Sequence, residues 1–162
     1  MENPISPDLA RTLETDRVRQ HTAPHVNDRI DRLTRASVAE QIAAGPEAVS
    51  QRLAELDHEW DVDRALMVNF AIAGGVSFGL GLTRYAESSV FGPRKKGFLY
   101  FFGAQLGFLL LHGVAGWCPP ASLFRRLGFR TQREIDVERA ALRDAARNPK
   151  PFHARALTQG EA

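Results

Sequence analysis

Two long runs without charge constrain this chain more than anything else in it. Residues 65–83, ALMVNFAIAGGVSFGLGLT, are nineteen consecutive positions lacking Asp, Glu, Lys or Arg. Residues 97–117, GFLYFFGAQLGFLLLHGVAGW, are twenty-one more, among which only His112 titrates near neutrality. At 1.5 Å per helical residue, about 20 such residues cross the roughly 30 Å hydrocarbon layer of a bilayer. The competing arrangement is a helical pair buried in a soluble core. The remainder of the 162 residues is too rich in Arg, Asp and Glu to cover two helices that are apolar on every side. Membrane spanning is the better expectation.

The flanks refine it. The first sixty residues hold no apolar stretch of the kind a secretory signal needs. One cysteine excludes an internal disulfide framework. A net charge of +2 with acids interleaved among arginines suits solvated helices and headgroup contact rather than nucleic acid, which requires a one-signed basic face. Residues 1–26 carry Pro4, Pro7 and Pro24 and few large apolar groups, so a flexible segment is expected there, as for the tail 148–162. Within 27–63, Ile30, Leu33, Ser37, Val38 and Ile42 share one helix face, Gly45-Pro46 breaks it, and Val49, Leu53, Leu56 and Trp60 form a second stripe. Gly92-Pro93 marks a turn between the runs, and Pro119-Pro120 stops the second one. Leu123, Phe124 and Leu127 opposite Arg125 and Arg126 predict a short interfacial helix closed by Gly128. Thr131 and Glu134 form a capping box opening a helix to about residue 147.

The expected architecture is therefore an all-α membrane protein. Its centre is a two-span antiparallel transmembrane hairpin within 64–118, spans 65–83 and 97–117, with amphipathic helices in 27–63 and 119–147. Six basic residues flank the outer ends of the spans (Arg52, Arg64, Arg125, Arg126, Arg130, Arg133) against four in the connection (Arg84, Arg94, Lys95, Lys96), which favours cytoplasmic termini. Trp60 and Trp117 are expected as interfacial anchors, together with Arg125 and Arg126.

Within the spans, Gly75-x3-Gly79 and Gly103-x3-Gly107 fall at matching depths, where small residues four apart let backbones approach, within the hairpin or between copies. The same register sets Asn69 opposite His112, about 7 Å inside the boundary, and a hydrogen bond between them would satisfy both. A proton relay through His112 finds no carboxylate in either run, and Gln105 is the one other strongly polar group. His112 and Cys118 are six residues apart, about 120° off a shared helix face, and a structural zinc site needs about four such ligands. No metal or other cofactor is expected from one chain. Cys118 remains a possible thiol site if the nearby Arg125 and Arg126 lower its pKa.

The strings LAELDHEWDVDRALMVN, HGVAGWCPP and FRRLGFRTQREIDVERAAL resemble the bacterial YgaP-type transmembrane domain family of small inner-membrane proteins of unknown function. The resemblance runs from about residue 26 to 142. It is strongest at Glu59-Trp60-Asp61, at Gly116-Trp117-Cys118-Pro119-Pro120, and at Arg130-Thr131 with Glu134-Ile135 and Glu138-Arg139. It implies a two-helix hairpin in the bacterial inner membrane and no activity. Some members carry a fused rhodanese module, of which this chain shows neither the α/β alternation nor a second cysteine. The expected function is a non-enzymatic membrane scaffold whose partners are the bilayer and a second copy or another membrane protein. The alternatives are a thiol protein handling sulfur or redox equivalents through Cys118, and a small transporter subunit.

Overall fold

A computed structural model describes residues 5–87 and 96–147. These residues are helical, with no strand among them. The connection holding Gly92-Pro93 and the tail expected to be flexible, 148–162, lie outside them.

Two helices are long and apolar enough to cross a membrane: α5 (Val62–Ala86) and α6 (Gly97–Ala115). They lie side by side and antiparallel, since Gly81 meets Leu99, Ser77 meets Gln105 and Asp63 meets His112. The first begins three residues earlier than the uncharged run, because Asp61 caps it by accepting the Arg64 N–H at 2.7 Å. The second stops at Gly116, whose φ of +72° closes the helix and leaves Trp117 beyond it.

The other six helices gather at the one end of this pair that contains Asp63 and His112. They are α1 (Pro7–Glu14), α2 (Arg17–Gln20), α3 (Pro24–Ala44), α4 (Pro46–His58), α7 (Pro119–Leu127) and α8 (Gln132–Arg147). One apolar cluster joins Val38, Val49, Leu56, Ile135 and Leu142, with Ile5, Leu9 and Leu13 packed in from the N-terminal arm. Residues 5–26 are thus not the loose segment expected. Ser6 and Asp16 cap α1 and α2 with their side chains, and Pro7 and Pro24 occupy first-turn positions that favour helix rather than break it. A second cluster seats α7 on the first turns of α5 through Val62, Leu66, Phe70, Cys118 and Ala121.

The stripe expected on α3 is rotated. Val26, Ile30, Thr34 and Val38 are buried, whereas Leu33 is 64% exposed and Ile42 also faces out. The stripe on α4 holds for Val49, Leu53 and Leu56, but that helix ends at His58 and Trp60 is not part of it. Between the clusters the chain is stitched by a short parallel bridge, where the Val62 N–H donates to the Arg130 carbonyl at 2.8 Å.

Candidate functional site

The most organised chemistry lies on α8, where Glu134 and Glu138 stand one turn apart and are 2% and 0% exposed. Glu134 does two jobs. Its Oε2 accepts the Thr131 N–H at 2.8 Å while Thr131 Oγ1 accepts the Glu134 N–H at 3.2 Å, which completes the expected capping box. Its carboxylate also takes Arg125 bidentately, at 2.5 and 2.7 Å, and is bonded by Arg19. Arg19 grips Asp31 with two further bonds of 2.9 Å. Arg125 completes its fork on Asn27 Oδ1 and the Phe129 carbonyl.

Glu138 centres the second network. It accepts from Arg52 Nε at 2.8 Å, from Ser37 Oγ at 2.8 Å and from Arg130. Arg130 in turn holds Glu59 bidentately, at 2.7 and 2.6 Å. Through these two carboxylates α8 is tied to α2, α3, α4 and α7, and through Arg130 to Glu59, three residues before the first apolar helix. Burial pushes both carboxyls up, but paired guanidiniums outweigh it. Arg125, with Thr131 and Arg19, holds Glu134 below the ordinary carboxylate value. Arg52 and Arg130, with Ser37, do the same for Glu138. Such saturated acceptors have no lone pair left for a substrate proton, so the arrangement clamps helices together rather than performing acid–base chemistry.

Arg125 is therefore not an interfacial anchor. It is 1% exposed, because the inward face of α7 carries Ala121 and Arg125 while Leu123, Arg126 and Leu127 face out. Trp60 and Trp117 are half-exposed, the first under the Arg64 guanidinium at 4.6 Å and the second donating to Ser122 Oγ at 3.1 Å.

Asn69 and His112 do not pair. His112 Nε2 donates to Asp63 Oδ1 at 2.8 Å, while Asn69 has no side-chain hydrogen bond among the described residues. Asp63 and Asn69 are six positions apart on α5 and so point to different faces, and a carboxylate is the stronger acceptor for an imidazole.

Nor do the four glycines mediate the contact between the two long helices. A Cβ added at Gly75, Gly79, Gly103 or Gly107 would meet nothing within 4 Å. The buried seam of α5 runs through Phe70, Gly74, Ser77 and Gly81, at steps of four, three and four. Gly75 lies about 100° around the helix from Gly74, and Gly103 and Gly107 are each two residues from the buried Gln105, on the opposite side of α6. The close approach is at Gly81, where an added Cβ would come within 2.5 Å of Leu99 Cδ2 and 3.2 Å of the Leu99 backbone nitrogen. Beside Gly74, Gln105 donates to Ser77 Oγ at 3.4 Å.

Cys118 is fully buried and caps α7, its Sγ accepting the Ala121 N–H at 3.4 Å. Burial pushes its thiol pKa up, the charge of Asp63 adds to that, and the Ala121 N–H only partly opposes it. The lowered pKa expected from Arg125 and Arg126 does not arise, because Arg125 is committed to Glu134 and Arg126 faces outward. No group of three or more metal-ligating side chains occurs among the described residues.

The Arg52, Glu59 and Glu138 network escaped sequence reading because its members are far apart in the chain. The available signal was Glu134 and Glu138 at four-residue spacing on a helix with a thin apolar side. No protein-family model, curated protein or solved structure matches the chain.

Proposed function

We propose that this protein is a two-span membrane hairpin of the YgaP-type transmembrane family. In this reading it lies in the bacterial inner membrane with both termini cytoplasmic and works as a non-enzymatic scaffold for a second copy or a membrane partner. The observation that carries the membrane reading is the mismatch between composition and burial. Only 33% of the most apolar window of α5 and 6% of that of α6 is buried, which leaves Met67, Ile72, Val76, Tyr100, Phe101, Leu110 and Val114 uncovered. A soluble core helix would be covered by its neighbours, whereas lipid covers such a surface without them. The scaffold reading is supported by the polar helices, whose buried carboxylates Glu134 and Glu138 are spent on Arg19, Arg125, Arg52 and Arg130.

The test is extraction and labelling. The protein should stay in the pellet through an alkaline carbonate wash and leave it only with detergent; release by carbonate alone would sink the membrane reading. A cysteine placed at Ser89, in a Cys118→Ser background, should react with an impermeant maleimide on intact cells. Labelling only after the membrane is opened would invert the topology. Cross-linking in native membranes should return discrete oligomers or a defined partner, and a chain that stays monomeric and alone would refute the scaffold.

A further inference from the structure

A groove of about 440 Å³ opens between α3, the end of α7 and the start of α8. Its floor holds the clamped pair Arg130 and Glu138 with Arg52 and Glu59, where charges balance. Its rim is different. Arg29 and Arg126 both line it, both are exposed, and neither has a carboxylate partner among the described residues. Arg29 donates to the Arg126 carbonyl at 2.6 Å, which holds the two chain segments together at the mouth. Beside them stand Leu33 and Leu127, 64% and 67% exposed. The groove thus has two unpaired cations next to two uncovered apolar side chains. Glu59, three residues before α5 begins, lines it, as does the end of α7, the helix that packs against the first turns of α5.

We propose that this groove binds the headgroup of an anionic phospholipid, an inference that rests on the membrane reading above. The lipid phosphate sits between Arg29 and Arg126, and Leu33 and Leu127 meet the start of its acyl chains. Two guanidiniums supply fork-shaped donors suited to phosphate oxygens, and the exposed leucines supply what a soluble phosphate ester would not need. Arg126 lies on the same face of α7 as Leu123 and Leu127, so its stem runs along apolar surface while its head reaches the polar layer.

The test uses the full chain, purified in detergent and incubated with mixed micelles containing phosphatidylglycerol or phosphatidylcholine, with bound lipid counted by native mass spectrometry. The wild type should retain phosphatidylglycerol in preference to phosphatidylcholine. Arg29→Gln with Arg126→Gln should weaken that retention by about fivefold per charge removed. Arg29→Lys with Arg126→Lys should keep most of it, and the exposed pair Arg133→Gln with Arg143→Gln, outside the groove, should change it little. Equal retention of the two lipids by the wild type would overturn the inference, as would equal losses from the groove pair and the distant pair. Failure here with a protein that still requires detergent for extraction would leave the membrane reading standing; carbonate extraction would remove both.

Discussion

At the scale of single residues, the decisive groups are Glu134 and Glu138. Each is a carboxylate almost without solvent, and each is stable there only because guanidiniums and neutral donors fill its lone pairs. Removing one partner leaves the others buried and unpaired. Glu138→Gln should therefore destabilise the helical bundle by about 3–5 kcal/mol, read as a loss of denaturant midpoint in detergent, while Asp136→Asn on the exposed side of α8 should cost far less. Acid should act in the same direction. Because the folded-state pKa values of Glu134 and Glu138 lie below their unfolded values, the stability they contribute is fully present above about pH 4.3. It drains away as pH falls through the lower folded values. A bundle whose melting temperature holds steady down to pH 3 would contradict that. Cys118 is the other residue whose role the fold changes: its buried, raised thiol should alkylate slowly until the bundle opens, with a rate that follows unfolding rather than thiolate fraction.

At the scale of elements, the two long helices show how far periodicity alone reaches. Their length and apolar character were legible from residues 65–83 and 97–117, because an uncharged run of that length has few places to go. Their contact face was not. Both carry glycine at four-residue spacing, yet the seam runs one residue away from that pattern on α5, and only a helix pair with a definite rotation separates Gly74 and Gly81 from Gly75 and Gly79. Gly81→Ala should push Leu99 and lower the thermal stability of the α5–α6 pair, whereas Gly75→Ala and Gly79→Ala should leave the monomer's melting temperature nearly unchanged. If those two variants instead alter oligomer size in cross-linking, the outward glycines serve contacts between copies. The capping box of α8 was legible for a different reason: it is local, and its two hydrogen bonds join residues three apart.

At the scale of the whole molecule, the N-terminal arm locks the polar bundle to the apolar pair. Arg17 donates to the Val114 carbonyl at 3.1 Å, near the end of α6, and Arg19 reaches Glu134 on α8. An added Cβ at Gly116 would fall 2.6 Å from Arg17 Cβ, so the arm lies tightly against this helix end. Deleting residues 1–20 should expose Val137 and strip Glu134 of one cation, and limited proteolysis should then cut α8 faster than in the full chain. Unchanged cleavage would make the arm dispensable. What this sequence determined by itself was whatever depends on neighbours in the chain: helix ends at Gly45-Pro46 and Gly128, the cap at Thr131, and two helices long and apolar enough to cross a membrane. Those features follow from backbone geometry and from transfer of apolar surface, both of which act over a few residues. Tertiary structure alone decided that Arg125 turns inward, that His112 meets Asp63 rather than Asn69, and that Glu59, Arg52, Arg130 and Glu138 converge. Ion pairs between residues as far apart as Arg52 and Glu138 require the helices to be placed first, and which face each helix turns inward is set by packing against all its neighbours at once.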